Sequence, residues 1–317
     1  TIETFFPGIV FAKNVMVVVV DAKYPSGNFL VGNFDQVGFV NRTTGNYRLL
    51  ATSLYRNAGT DGQDVGCNID VLLGTAALSN VSAASYRGTQ MTPEMITAAF
   101  GSGLATSTQQ ATVTPLPTTL GNVTVKVRDR AGVERNSPLF FVSPTQINYL
   151  IPSGTTAGIA TVTVLNSAGG TVAVGSLDIT SVAPGLFTAD TSGKGLPTGQ
   201  VLRVKTGNVQ QYESLARFDT TQNKWVAVPI DLGATTDQVS LVLYGTGIRF
   251  RSSLANVVAQ VGGTTAAQVT FAGSQGSFVG LDQINVLLPR TLIGRGDVDV
   301  VLTVDGQVAN TVRINIK

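Results

Sequence analysis

Two pairs of amide side chains lie in a sequence motif that occurs twice in the chain. Gln146 and Asn148 belong to Gln-Ile-Asn-Tyr-Leu-Ile-Pro, and Gln283 and Asn285 belong to Gln-Ile-Asn-Val-Leu-Leu-Pro. Residues two apart on a strand point to the same face, so each pair could form a polar platform for a ligand. The alternative, which we favour at this point, is that the amides bond to backbone groups at the edge of a sheet, as buried polar side chains usually do.

Carboxylates occur at turn spacing near the N-terminus. Asp61, Asp64 and Asp70 offer the oxygen ligands that Ca²⁺ prefers. Their spacing does not follow the nonapeptide calcium repeat, and Asx-turns explain it better, because an Asp side chain readily bonds to the backbone two residues on. We therefore expect no obligatory cofactor, and calcium is the one ion for which these residues provide candidate ligands.

Catalytic groups are scarce. Asp21, Asp35, Asp61 and Asp64 could supply the two carboxylates that glycoside hydrolysis needs, but a catalytic groove requires more solenoid rungs than this segment can hold. The chain contains no histidine, which removes the commonest general base and metal ligand. Cys67 is the single cysteine, so neither an intrachain disulfide nor a thiolate zinc site can form. We predict that the chain is not an enzyme.

An apolar run near the N-terminus is the candidate for self-association. Its valines are Val15, Val17, Val18, Val19 and Val20, with Met16 between the first two. Such a run is typical of a buried strand, and it is far shorter than the ~18 residues of a membrane helix. An uncovered strand of this kind would aggregate, so we expect another strand to cover it, from this chain or from a neighbouring one.

Composition predicts the elements that carry these residues. Charged residues make up 13% of the chain, glycines number 35, and Val, Ile, Leu and Thr dominate, as in strands joined by Gly turns. Lys plus Arg (21) and Asp plus Glu (19) almost balance and are scattered, so the chain has no basic patch for nucleic acid. The fold class predicted is all-β, and no membrane span is expected.

The repeated phrase predicts two copies of one domain. A looser echo precedes each copy, Phe100-Gly101-Ser102-Gly103-Leu104 and Tyr244-Gly245-Thr246-Gly247-Ile248, so the order of landmarks is kept at a spacing of about 140 residues. Alternating strands at 123–128, 160–164 and 171–174, with Gly-containing turns between them, indicate a β-sandwich. Asp305-Gly306 between alternating strands is the strongest hairpin signal.

These patterns divide the chain into five parts. We predict β-helix-like coils over residues 1–76, a linker over 77–95, a first β-sandwich over 96–187, a bridging hairpin or insertion over 188–235 and a second sandwich over 236–317. The single tryptophan, Trp225, is expected to anchor the fourth part by its burial. The chain opens at Thr1 without a charged leader, as a mature product or an excised piece would.

Two resemblances bear on these parts. The sequence from Phe39 through Asp70 resembles the closing coils of secreted right-handed parallel β-helix proteins, although Leu54 stands where that pattern has proline. The phrases Val142–Asn148, Ala183–Phe187, Leu243–Arg249 and Gly280–Val286 resemble the uncharacterised Solibacter-type C-terminal domain family, over roughly residues 80–317. That resemblance implies immunoglobulin-like sandwiches, an extracellular setting in secreted acidobacterial proteins, and an attachment or display role. It implies no established activity.

The sequence therefore predicts a secreted or cell-surface structural or adhesive protein. Incomplete coils at the N-terminus would be completed by upstream β-helix sequence or by a second copy of the chain, the latter giving a head-to-tail filament. The alternative is a carbohydrate-binding or polysaccharide-degrading β-helix protein with C-terminal anchoring modules, which would require an exposed row of aromatic side chains. A glycan is the other partner that we expect.

Overall fold

The chain is all-β, as predicted. The structure is a computed structural model, and it describes residues 8–17, 24–60, 62, 64–66 and 76–317. The chain forms two compact units, residues 1–76 and 77–317. Within the described residues the only helices are short 3-10 turns, at Phe34–Val37, Arg42–Thr44, Leu254–Asn256 and Arg290–Leu292, and no helix is long and apolar enough to cross a lipid bilayer.

The N-terminal unit contains one parallel strand pair and one hairpin. Strand β1 (Val15–Val17) pairs in parallel with β2 (Phe29–Val31), as successive rungs of a solenoid do, whereas β3 (Phe39–Asn41) and β4 (Asn46–Leu49) are antiparallel. The register brings Asn14 beside Asn28, and Asn14 donates from its backbone N and from Nδ2 to Asn28 Oδ1, at 3.0 and 2.8 Å. The parallel arrangement of β1 and β2 therefore extends one residue further, through the stacked side chains of Asn14 and Asn28.

A small core holds this unit together. Val31, Val37 and Tyr55 are buried, and half-buried apolar side chains from β1 to β4 pack around them. The rings of Phe29 and Tyr55 meet edge to face at 5.3 Å. A core of this size buries little apolar area, so the free energy of unfolding of this unit should be small.

The first sandwich consists of two facing sheets. One has the strand order β10-β11-β15-β16-β5, with β12 beside β11 and β7 beside β16, and the other has the order β6-β8-β14-β13-β9. The strands are β5 (Ala76–Ala77), β6 (Ser79–Ser82), β7 (Gln90–Met91), β8 (Ile96–Phe100), β9 (Gln109–Gln110), β10 (Thr119–Leu120), β11 (Val123–Arg128), β12 (Glu134–Asn136), β13 (Leu139–Val142), β14 (Gln146–Leu150), β15 (Gly158–Leu165) and β16 (Thr171–Ile179).

Residues 77–95 belong to this sandwich, which corrects the prediction of a linker. They supply one of the two residues of β5 and all of β6 and β7, and Met91 and Met95 are completely buried. Thr92 and Pro93 lie in a turn, in which the backbone N of Met95 donates to the carbonyl oxygen of Thr92 at 3.2 Å. The linker prediction failed because polar residues occupy buried positions in this segment. Asn80, for example, is 2% exposed and accepts a hydrogen bond from Tyr149 Oη at 2.9 Å.

The second sandwich is one continuous ten-stranded sheet that contributes to both layers. Its order is β19-β18-β22-β25-β24-β23-β26-β27, with β17 beside β22 and β28 beside β26. The strands are β17 (Gly185–Leu186), β18 (Gly199–Lys205), β19 (Val209–Ser214), β22 (Gln238–Thr246), β23 (Val257–Val261), β24 (Thr264–Ser274), β25 (Asp282–Leu287), β26 (Gly296–Val304), β27 (Gln307–Val308) and β28 (Val312–Ile316); β20 (Ala216–Asp219) and β21 (Lys224–Ala227) form a separate hairpin.

The structure places most of residues 188–235 in the second sandwich, and Gly193 of this segment also packs against Ser85 of the first. Strand β18 pairs along β22 in the main sheet, and Val201, Leu215, Ile230 and Leu232 lie in the same core cluster as β22 and β25. The second sandwich therefore already begins at β17, before the boundary predicted at 236.

A buried polar junction joins the two sandwiches. Asp282 has no exposed side-chain surface, and Arg249 Nε donates to its Oδ1 at 2.7 Å while Arg249 Nη1 donates to Glu94 Oε2 of the first sandwich at 2.9 Å. Gly280 packs so closely that a Cβ there would lie 2.6 Å from side-chain atoms of both Ile96 and Leu150. Ion pairs and packing thus connect the sandwiches within one compact unit.

Candidate functional site

The repeated amides make the same hydrogen bond in both sandwiches. Gln146 Nε2 donates to Asn148 Oδ1 at 2.8 Å on β14, and Gln283 Nε2 donates to Asn285 Oδ1 at 2.8 Å on β25. All four side chains are half-buried on the outer faces of their sheets, because the residues between them, Ile147 and Ile284, point into the cores. The amides therefore bond to each other along the strand, instead of to the backbone groups that the sequence favoured.

Aromatic side chains flank the pair in the first sandwich. Asn148 lies directly opposite Phe141 on β13 and opposite Ala98 on β8, and Gln146 lies opposite Phe100 on β8. Directly opposed Cβ atoms in a sheet are about 4.5–5.5 Å apart, so these side chains are neighbours. We call Phe100, Phe141, Gln146 and Asn148 the first amide face.

The second sandwich repeats this arrangement. Asn285 lies opposite Phe271 on β24 and Val242 on β22, and Gln283 lies opposite Tyr244 on β22. In both copies the register shifts at a β-bulge immediately before the phenylalanine, between Leu139 and Phe141 and between Val269 and Phe271. We call Tyr244, Phe271, Gln283 and Asn285 the second amide face.

The row of residues through each asparagine is uncharged, but Arg251 lies beside the second amide face, where its Nη1 is 3.7 Å from a Cβ added at Gly273, opposite Gln283. The row across the first sheet runs Val81, Ala98, Asn148, Phe141, Gln110, each opposite the next. The corresponding row in the second sheet runs Ser214, Gln200, Val242, Asn285, Phe271. All these positions are described, and none carries a charge. The faces offer amide donors and acceptors beside aromatic rings, and no acid or base.

The sequence missed the aromatic half of this site. Cross-strand neighbours depend on register, and the bulges before Phe141 and Phe271 are not visible in a single sequence. Part of the signal was present, because the looser echo begins with Phe100 in one copy and Tyr244 in the other. These two aromatic residues lie opposite Gln146 and Gln283, respectively.

The calcium and carboxylate candidates are only partly described. Asp64 Oδ1 accepts a hydrogen bond from the backbone N of Asn57 at 3.0 Å and lies 3.7 Å from Arg56 Nε. Asp21, Asp61 and Asp70 lie outside the described residues. In the part of the chain that the structure describes, no three His, Cys, Asp or Glu residues come together as metal ligands.

The residues expected to mediate self-association are also only partly described. Val15 and Val17 are half-buried in β1, which pairs with β2 of the same chain, and both pack on the small N-terminal core. Val18, Val19 and Val20 lie outside the described residues, so the proposal that they recruit a neighbouring chain stays a prediction.

Trp225 is not the buried anchor that the sequence predicted. It is 40% exposed on the β20–β21 hairpin, opposite Phe218, which is 45% exposed, and the two rings meet edge to face at 5.6 Å. A two-stranded hairpin is marginal in water, so an aromatic pair across it stabilises the hairpin without being buried in a core.

Comparisons with known proteins give distant structural likenesses. No protein-family model and no curated protein sequence matches the chain. One similar structure is the SGBP-B protein of the Bacteroides ovatus mixed-linkage glucan utilization locus, in complex with a mixed-linkage heptasaccharide. It is 14% identical, with a TM-score of 0.33, over 81% of this chain and 59% of that one.

Two further structures are similar to parts of the chain. An auxiliary nutrient binding protein from Bacteroides ovatus is 10% identical, with a TM-score of 0.22, over 55% of this chain and 43% of that one. A tetra-tandem repeat from the extending region of a large adhesion protein is 10% identical, with a TM-score of 0.21, over 77% and 74%. The chain thus spans about three fifths or less of the first two structures. Likenesses at this level assign no ligand to the chain.

Proposed function

We propose that this chain is an extracellular, non-catalytic adhesion protein that binds neutral polysaccharide through its two amide faces. The observation that carries the proposal is the amide pair flanked by two aromatic side chains, present at the same strand positions in both sandwiches. The resemblance to the Solibacter-type family supports the extracellular setting, and membership of that family is part of the proposal.

The chemistry of the faces favours a neutral sugar. Once a glutamine Nε2 has donated to an asparagine Oδ1, the glutamine Oε1 and the asparagine Nδ2 protons still have bonding capacity, which suits sugar hydroxyls that both donate and accept. The rings beside them offer apolar surface to the C–H face of a pyranose. A neutral sugar suits the rows through Asn148 and Asn285 because these rows carry no charge, and Arg251 beside the second face adds guanidinium N–H donors for sugar hydroxyls. We propose binding without hydrolysis, since the four side chains that form each amide face include neither a carboxylate nor a histidine.

Affinity gel electrophoresis of the full chain tests the proposal. Native gels are cast with mixed-linkage β-glucan, xyloglucan or dextran, and retardation is compared for the wild type and for Asn148→Ala, Asn285→Ala and the double variant. Loss of a hydrogen-bonding group typically costs about 1 kcal/mol, so each single change should weaken binding about five-fold and the double change should abolish retardation. A matched control is Asn315→Ala on β28. This change removes an amide that donates to Asp297 Oδ1 on β26, away from both faces.

The proposal fails if none of the three polysaccharides retards the wild type, or if the double variant is retarded as strongly as the wild type. Equal loss in the Asn315→Ala control would show that the effect is not local to the amide faces.

We propose head-to-tail assembly through the N-terminal unit as a second function, because one structural observation favours it. The parallel pairing of β1 with β2 and the stack of Asn14 on Asn28 are the contacts by which solenoid rungs add to one another. Sedimentation velocity of the full chain should then show species that grow with concentration. A single monomeric species up to about 100 μM would refute assembly, and it would leave glycan binding untouched.

A further inference from the structure

A cleft of about 140 Å³ opens between the two sandwiches, on a part of the molecule that the amide faces do not use. Three segments form it: the turn after β6, the connection between the sandwiches, and the turn after β27. Its lining includes Ser82, Ser85, Arg87, Gln307 and Asn310. Clefts between domains are a common location for small ligands.

Asn310 holds the walls of the cleft in place. This residue is 3% exposed, and its Oδ1 accepts a hydrogen bond from the backbone N of Leu186 at 2.8 Å. Its Nδ2 donates to the carbonyl oxygens of Leu186 and Gly193, at 2.9 and 3.0 Å. Gly193 in turn packs against the first sandwich, where an added Cβ would lie 2.6 Å from the carbonyl oxygen of Ser85. The cleft is therefore preformed.

Arg87 and two serine hydroxyls supply hydrogen-bond donors to the cleft. Arg87 lines it, and no carboxylate among the described residues lies within ion-pair distance of its guanidinium; no acidic residue lines the cleft. The hydroxyl oxygens of Ser82 and Ser85 already accept hydrogen bonds from the backbone N of Ala84 and of Arg87, at 3.3 and 3.4 Å, which leaves their hydroxyl protons to donate. A cation and two hydroxyl donors without a nearby acid attract an anion.

The backbone around Arg87 is strained. Tyr86 has a φ of 54° and Gly88 a φ of 68°, so both neighbours of Arg87 adopt the left-handed conformation. For a bulky residue such as tyrosine this costs about 1–3 kcal/mol, and such strain concentrates at binding sites. The turn is held by Tyr86 N donating to Ser82 O at 2.9 Å and by contact of the Tyr86 ring with Phe100. This conformation places Arg87 at the cleft.

We propose that this cleft binds a single carboxylate or phosphate group, with Arg87 as its cationic ligand. Arginine presents a planar fork of N–H donors that matches the oxygens of either group. A volume of about 140 Å³ admits the head group and leaves the remainder of the ligand outside. No residue of either amide face lines the cleft, although the Phe100 ring of the first amide face contacts Tyr86, the neighbour of Arg87.

Amide-resolved NMR titration of the full chain tests this site. Acetate, glucuronate and inorganic phosphate are the probes, at an ionic strength held constant with NaCl. We expect saturable shifts of the backbone amides of residues 82–90 and 307–310 in the millimolar range, and Arg87→Gln should weaken the binding about ten-fold or more. Arg130→Gln is the matched control, because it removes the same charge from an exposed arginine outside the cleft and should leave the binding unchanged.

A second variant keeps the proposal falsifiable. Gln307→Glu adds an acid to the cleft rim at an exposed position and should abolish the shifts while the remaining spectrum is preserved. Saturable amide shifts with acetate and glucuronate would support a carboxylate ligand, and saturable shifts with inorganic phosphate would support a phosphate ligand. Absence of shifts up to about 100 mM of every probe, equal affinity in Arg87→Gln, or shifts located elsewhere would overturn it.

Discussion

Replacing Asp129 by asparagine should make the protein less stable at neutral pH and flatten its response to acid. The Asp129 side chain has no exposed surface, and Arg135 Nη1 donates to its Oδ2 at 2.7 Å. The backbone N of Val133 donates to Oδ1 at 3.0 Å, and that of Thr156 donates to Oδ2 at 3.1 Å. Burial raises the pKa of Asp129, but these hydrogen bonds outweigh burial and lower the pKa to about 2, from 3.8.

The lowered pKa gives the size of the effect. Because the folded state holds the ionised form more strongly than the unfolded state does, ionisation stabilises the fold above pH 4, and this contribution is lost as the pH falls through about 2. The difference between the two pKa values corresponds to about 2 kcal/mol at pH 7, about 1 kcal/mol at pH 3 and less than about 0.5 kcal/mol at pH 2. Asparagine resembles the protonated acid, so Asp129→Asn should lose these amounts.

Urea denaturation at several pH values measures this difference. The gap in unfolding free energy between wild type and Asp129→Asn should stay constant from pH 7 to about pH 5 and then close as the pH falls to about 2. Glu134→Gln is a matched control in the same hairpin, because its ion pair with Lys126 is exposed and should contribute less than about 1 kcal/mol at any pH. A gap that stays constant down to about pH 2, or that widens on acidification, would refute this account of Asp129.

Three further predictions concern the second sandwich. Gly280→Ala should lower the unfolding free energy, and the loss should exceed that in Gly276→Ala by more than about 1 kcal/mol. Both glycines have a positive φ, but only Gly280 has neighbours within 4 Å of an added Cβ. Equal losses in urea denaturation would contradict this. Arg249→Met should cost about 3–5 kcal/mol at pH 7 by leaving Asp282 buried without its cation, and the loss should shrink in acid, since burial raises the pKa of Asp282. Phe218→Ala should shift the emission of the single tryptophan to the red while the urea midpoint of the sandwich changes little; an unshifted spectrum would exclude the ring contact.

The regular strands were predictable from the sequence because their alternation is clean. The strand expected at 123–128 is β11 with the same bounds, and the strands expected at 160–164 and 171–174 lie within β15 and β16. The Asp305-Gly306 turn is confirmed as a hairpin between β26 and β27, with both residues at positive φ, as a two-residue turn requires.

Predictions failed where polar residues occupy the core or where apolar residues stay outside it. The segment 77–95, expected to be a linker, contains the buried residues Asn80 and Ser82, whose polar side chains are typical of a loop. Trp225 is half exposed although its size favours burial. Within the hairpin or insertion expected at 188–235, strands β19 and β20 are separated at Leu215, which turns into the core, so the two strands belong to different sheets. Each failure involves a tertiary neighbour that local pattern does not contain.

The orientation of the amide pairs makes each amide face directional along its strand. In both copies the glutamine donates and the asparagine accepts along the strand. Each pair therefore shows an unused carbonyl oxygen at its N-terminal end and unused N–H groups at its C-terminal end. A sugar chain has two chemically different ends, so a chain laid along either strand would meet acceptors first in one direction and donors first in the other. The two copies would impose the same polarity relative to their own strands.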